Sequence, residues 1–509
     1  MTPLPPLTEN GRIVDAAIVV VCGVGQAAAL AFATFATRDA FVALHGGGMP
    51  SIATLAEFGM AGLVAAACVQ IARVRAEALG QSYAIALRRV IYAHIAGFSK
   101  SRHAARRLGA YALRFVGDMS AARLWYGRGL PRAVSAMIVL PGAFLVLWAL
   151  DARLALAAVP PLIVALIVMA GLAAQLEARH RSLRGKRANL AIAMMERIAV
   201  SPELDLLGRT NRELKSLDKT GATVRQNAVA RVGRAAALQT VLQVGLAVGA
   251  VAILWVSGVE GLPTGTAAAG LSLLALLAMP LQDVGEAWDQ FCAWRVARSR
   301  AEALLSQPST PRNPRSRGGP ATVDVSGKLN GTDQRLSVAS GACITLDGAE
   351  AGNLAKAIAG LDRPTGLQVT YNGQKKLPVC AYIGDTHVGL QGSLRRSATL
   401  MCRKRPKDDR VAETLAAFGL SEVLERVGGL DGRIGEAGRT LSAAETLRLD
   451  LARASLGRAE LVVIDSGRWH SMPAAHDLAS LLQKRHPTTL ILAGRSTADA
   501  VVCCGTQTS

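Results

Sequence analysis

Residues 344–366 read ITLDGAEAGNLAKAIAGLDRPTG. A short β-type run meets a turn at Gly348, and apolar residues then recur at helical spacing through Leu354, Ile358 and Leu361. Strand, glycine turn and helix, in that order, is the layout that presents backbone N–H groups to a phosphate. Such a loop also needs a lysine to neutralise the anion and a hydroxyl to bind its magnesium. Aligned back from KAIAGL, Ala351 and Gly352 stand at those two positions. Allowing one deletion moves them to Asn353 and Leu354, and both groups are missing either way. Asp347 and Glu350 instead put carboxylates in or beside a turn that has no cation of its own. A turn that packs and binds no ligand is therefore the favoured reading of the segment.

Working outward, more β-type runs flank this stretch: ATVDVSG, LQVTYNG, VCAYIG, LVVIDS and TLILAG. Helical patterns such as RVAETLAAFGLSEVLERVG alternate with them. Together they predict an α/β domain over 321–509. Before it lies SQPSTPRNPRSRGGP, residues 306–320, whose Pro, Arg and Gly content marks a linker.

Residues 1–305 are different. Apolar runs at 16–37, 52–72, 133–150, 154–176, 235–256 and 264–281 approach or exceed the roughly 20 residues that cross a bilayer. The first is longer than the apolar core of a cleavable signal and is expected to stay in the membrane. Loops 73–132 and 177–234 are strongly basic, whereas 38–51, 151–153 and 257–263 carry almost no positive charge. The positive-inside rule then places the two long loops and both termini in the cytoplasm. Segments such as SYAIALRRVIYAHIAGF and RANLAIAMMERIAV continue the spans as helices into water. SKSRHAARRLGAYALRF and SPELDLLGRTNRE read as the turns at their tips.

The whole chain of 509 residues is 51% hydrophobic with a formal charge of +20. Its basic residues flank membrane-length runs and no nucleic-acid module accompanies them, which argues against nucleic-acid binding. Eight cysteines, including the adjacent Cys503 and Cys504, show no CxxC or metal-ligand spacing. They read as scattered reduced thiols.

In this arrangement the chain resembles a half-transporter of the ABC exporter family. RRLGAYALRFVGDMSAARLW, with Gly109 and Asp118, is similar to that family's first cytoplasmic loop, and LDARLALAAVPPL to its third-to-fourth span hairpin. The resemblance implies an all-α six-helix type-1 transmembrane domain followed by an α/β P-loop-NTPase-like domain, in the plasma (inner) membrane. It also implies where the nucleotide chemistry should sit. Gly348, Ala351, Gly352 and Asn353 are the remnant of the phosphate loop. LSAAE, comprising Leu441, Ser442, Ala443, Ala444 and Glu445, corresponds to the signature motif L-S-G-G-Q, with alanines in place of its glycines. Ser442 and Glu445 have capping-box spacing, which gives both residues a structural role. In ELVVIDS, Asp465 keeps the magnesium-binding carboxylate and Ser466 takes the place of the glutamate that positions water. Asp385 replaces the magnesium-sensing glutamine, and Arg495 the switch histidine. No aromatic residue or histidine occurs from Arg295 to Thr370, where the family stacks adenine.

These losses imply no catalytic residue, metal or cofactor on this chain, and no ATPase activity by itself. Mg-ATP is expected on a second ABC half-transporter in a heterodimer. A membrane scaffold without transport activity is the alternative, and a self-sufficient homodimer a third reading. Intramembrane polar groups such as Gln26, Glu57, Gln175 and Gln239 do not reveal the substrate.

Overall fold

A computed structural model describes residues 3–9, 11–101, 117–314, 318–435, 440–472 and 474–494. Gly109 and Arg495, singled out above, lie outside the described residues, as do Cys503 and Cys504. The chain divides into two compact units, with the boundary between Pro308 and Ser309. A short stretch beginning at Gly97 belongs with the second unit.

The first unit is built from long helices. They are α1 (Arg12–His45), α2 (Ile52–Ala96), α3 (Leu130–Leu150), α4 (Ala152–Ala199), α5 (Thr210–Val259), α6 (Thr264–Leu276) and α7 (Ala278–Leu305). Among the described residues there are six candidate spans, with α6 and α7 forming one of them. The chain is a multi-pass membrane protein. At 1.5 Å per residue, the 45 residues of α2 and 50 of α5 run about 70 Å, more than twice a hydrocarbon core of roughly 30 Å. These helices therefore continue well past the bilayer, as their apolar spacing predicts. At the tip before α5, the expected turn contains a short helix, Ser201–Leu206, because Pro202 suits a first helical turn. Asp151 makes the α3–α4 hairpin tight by accepting from the Arg153 N–H at 2.8 Å.

Inside the unit, Val139, Leu147, Leu154, Leu242, Ile253, Leu273 and Leu281 form a buried apolar core. Outside, Phe32, Leu63, Leu145, Leu156, Ile167, Val251 and Trp255 are exposed, a surface that suits lipid. At Gly80 two helices approach closely: an added Cβ would lie 2.6 Å from the Arg123 carbonyl oxygen. Only glycine permits that contact.

In the second unit, β1 (Val323–Leu329) pairs antiparallel with β2 (Thr332–Val338) and β4 (Leu367–Tyr371). The central sheet is parallel, in the order β3 (Cys343–Leu346), β9 (Thr489–Ala493), β8 (Leu461–Asp465), β5 (Cys380–Gly384). A two-stranded ribbon, β6 (Gly392–Ser393) and β7 (Arg433–Ile434), completes the strands among the described residues. Strand β8 reads Leu461, Val462, Val463 and Ile464 with all four buried, as expected of a parallel strand covered on both faces. The helices that cover the sheet include α8 (Ala351–Ile358), α9 (Asp408–Ala417), α10 (Ala443–Leu456) and α11 (Ala475–Arg485). One core cluster gathers Leu449, Leu451, Val462 and Leu490, and a second Leu354, Ile358, Val463 and Ile491.

The linker is pinned within this unit. Arg312 donates from Nε to the Gly360 carbonyl at 2.6 Å, and from Nη2 to those of Phe98 and Leu361 at 2.6 and 2.8 Å. Lys100 N–H donates to the Leu361 carbonyl at 3.0 Å, and Ser101 donates from N–H and Oγ to Asp362 Oδ1.

Candidate functional site

Ligands of open parallel sheets bind outside the carboxyl ends of the strands. At that edge β3 leads into Asp347 and Gly348, β5 into Asp385, and β8 ends on Asp465 before Ser466. The fold thus brings the phosphate-loop remnant and both carboxylates to one rim.

The turn after β3 is short. A phosphate loop has five residues between its first glycine and its lysine. Between Gly348 and Ala351, where α8 begins, there are two, Ala349 and Glu350, so in the register that puts Ala351 at the lysine position three residues are missing. Gly348 makes the tight turn in the left-handed region, at φ 101°. Ala351 begins α8 and is 5% exposed, packed with Leu354, Ala355 and Ile358 rather than facing the rim. Glu350 is held by donors from two sides: Asn353 Nδ2 and Asn330 Nδ2 both lie 2.9 Å from its Oε2.

Asp465 is engaged by the chain itself. Tyr382 Oη donates to its Oδ2 at 2.5 Å, and Lys356 Nζ stands 3.9 Å from the same oxygen. A Cβ at Gly352 would start 3.1 Å from Oδ1. Lys100 lies over the Tyr382 ring, with Nζ 4.1 Å from the centroid. Burial pushes the Lys100 ammonium below the ordinary lysine range; the carboxylates of Asp465, Asp362 and Asp385 oppose that shift, while Lys356 adds to it. Burial and the bond to Asp465 push the Tyr382 phenol upward, so it stays a donor. Ser466 donates from Oγ to Asp385 Oδ1 at 2.8 Å, and the Gly467 N–H adds a second bond at 3.1 Å. Ser466 also caps the helical turn Gly467–His470. Asp465 and Asp385 are thereby committed to protein donors.

The signature remnant sits at the start of α10. Ser442 Oγ accepts from the Glu445 N–H at 3.2 Å and Glu445 Oε2 accepts from the Ser442 N–H at 2.7 Å, the capping box its spacing predicts. Both Glu445 oxygens also accept from Arg426, each at 3.0 Å. Those bonds hold the Glu445 carboxyl below its usual range and neutralise much of the charge that would repel phosphate. Leu441 packs on the core, and Ala443 and Ala444 are exposed.

The tertiary structure aligns with that of a bacterial Atm1-family ABC exporter solved with ATP bound. The TM-score is 0.78 at 16% identity, over 97% of this chain and 92% of that one. The chain has the fold of an ABC exporter subunit. A stretch of 88 residues is 34% identical to the glutathione/L-cysteine transport system ATP-binding/permease protein CydC of Haemophilus influenzae. That match covers 17% of this chain and 15% of the relative. No protein-family model matches the chain.

Within an ABC exporter fold, magnesium and triphosphate require an accessible carboxylate, a hydroxyl, a lysine and a ring of backbone N–H groups. Here Tyr382 and Lys356 engage the carboxylate, Ala351 faces the core and three loop residues are missing. The residues present do not fit a magnesium nucleotide.

The turn has no cation of its own, yet two ammonium groups reach the rim, Lys356 on Asp465 and Lys100 on Tyr382. Lys356 was detectable as a residue one helical turn beyond Gly352. Tyr382 and Lys100 gave no such signal, since β5 and the segment after α2 meet the rim only through the fold. In the first unit, Trp125, Trp288, Phe291, Met137 and Met169 line an apolar cavity of about 620 Å³.

Proposed function

We propose that this chain is the non-catalytic half of an ABC-type exporter, paired with a second half-transporter that binds and hydrolyses Mg-ATP. In this family ATP sits between the loop of one subunit and the signature of the other. The shortened turn between β3 and α8 carries the reading. Three missing residues remove backbone donors that no side-chain rearrangement replaces, and the chain's own Tyr382 and Lys356 occupy Asp465. The frame of the domain is kept because it still packs as a docking body. Arg312, Lys100 and Ser101 fasten the linker and the segment after α2 to the end of α8 through the chain's own side chains and backbone.

Six spans and two basic loops support a plasma-membrane subunit with both termini in the cytoplasm. The cargo crosses between the two membrane units of the pair.

Calorimetric titration of the purified chain with Mg-ATP, together with its ATPase rate, tests the reading. No heat at micromolar nucleotide and no turnover are expected. Co-expression with an ABC subunit carrying intact motifs is expected to recover a one-to-one complex that hydrolyses ATP. Micromolar binding by the chain alone would overturn the proposal. Consistent absence of such a subunit from the purified material would favour the scaffold instead.

A further inference from the structure

At the opposite edge of the parallel sheet, where the strands begin, lies a second cleft. Arg458 precedes β8 by three residues and His486 precedes β9 by three, and Arg410 of α9 and Arg485 of α11 close the sides. The cleft holds about 160 Å³ and its lining is almost entirely polar. Thr414 and Ser455, both buried, also line it, and Thr414 Oγ1 donates to the Arg410 carbonyl at 2.8 Å.

We propose that this cleft is a binding site for one phosphate-sized oxyanion, either free phosphate or the end of a small phosphomonoester.

Helix ends explain only part of the charge. Arg485 in the last turn of α11 and Arg458 just beyond α10 suit the negative ends of those helices. Arg410 does not, because it lies in the first turn of α9, where the helix dipole disfavours a cation. Arg485 pairs with Glu413 at 2.9 Å, while among the described residues neither Arg410 nor Arg458 has a carboxylate within ion-pair range. Arg458 also adopts φ 50°, a left-handed conformation that glycine takes without strain, yet the position holds an arginine. Arg410, Arg458 and Arg485 line the cleft together with His486. The three arginines are exposed and outnumber the carboxylates of Glu413 and Glu460, so the charge around the cleft is positive, and the volume is well below the roughly 300 Å³ at which pockets for larger organic ligands begin. A nucleotide is therefore excluded and a tetrahedral anion fits. Bidentate guanidinium contacts are the usual means of holding one.

The experiment titrates the full chain in detergent with inorganic phosphate, and separately with methyl phosphate, against chloride at matched ionic strength. Calorimetry and thermal unfolding are the readouts. Saturable phosphate binding is expected, with a rise in the unfolding temperature that chloride does not give. Arg458→Gly removes the cation while relieving the backbone and is expected to weaken binding about tenfold or more without loss of fold. Arg410→Gln is expected to do the same, and Lys375→Gln, which removes equal charge from an exposed turn, to leave binding unchanged. Tighter binding of methyl phosphate than of free phosphate identifies the monoester as the ligand type, and the reverse order identifies free phosphate. Equal responses to phosphate and chloride, or unchanged binding in both arginine variants, would overturn the proposal. Neither result bears on the nucleotide rim, which lies at the other edge of the sheet.

Discussion

Restoring the two lost side chains is expected not to restore the nucleotide site. In Ala351→Lys/Gly352→Ser, the new ammonium would contribute at most about 4 kcal/mol to a phosphate at 4 Å under a surface-like dielectric. Micromolar affinity corresponds to about 8 kcal/mol. The three missing loop residues would have supplied N–H donors to a charged acceptor, each worth about 1.5–3 kcal/mol, so roughly 5–9 kcal/mol is still absent. Geometry works against the graft as well. Position 351 is 5% exposed within an apolar cluster, and a side chain at 352 starts 3.1 Å from Asp465 Oδ1. Titration of the full chain with Mg-ATP should therefore give a dissociation constant no tighter than about millimolar. A second variant that adds three residues after Gly348 to the same two substitutions should bind more tightly than the double variant. Micromolar binding by the double variant would show that the side chains, and not the backbone of the turn, limit the site, and would refute this reasoning.

Two further outcomes follow from groups away from the rim. Arg453 is buried and donates to the Ser397 carbonyl at 2.8 Å, Ser397 Oγ at 3.0 Å, the Val388 carbonyl at 3.1 Å and Asp450 Oδ1 at 2.7 Å. Arg453→Met strands those acceptors and should cost about 3–5 kcal/mol, lowering the unfolding temperature of the domain by on the order of 10 °C, measured by calorimetry. His486 is held below the ordinary histidine range, by burial first and then by Arg458 and Arg410, against the pull of Glu460 and the Arg458 carbonyl. The unfolded chain then binds the proton at a higher pH than the folded one. Stability should rise with pH up to about 6.5 and fall below it as the unfolded state protonates. Chemical unfolding at pH 5.5 and 7.5 is expected to show a smaller difference in His486→Gln than in the parent, and an equal difference would count against this role for His486.

The sorting of the chain into membrane helices and an α/β domain was readable from its residues, because apolar period and run length are local properties. So was what the phosphate turn lacks, since Ala351 and Gly352 can supply neither an ammonium nor a hydroxyl. The capping box at Ser442 and Glu445 was equally legible, as its partners stand three residues apart. What surrounds Asp465 was decided by tertiary structure alone. Tyr382 reaches it across neighbouring strands of the sheet, and Lys100 arrives from a segment more than two hundred residues earlier. The same holds for Arg312 on the carbonyls after α8 and for the arginines at the starts of β8 and β9. Such contacts depend on strand order and on which helix ends face one another, and a one-dimensional pattern of apolar and polar residues does not carry that information.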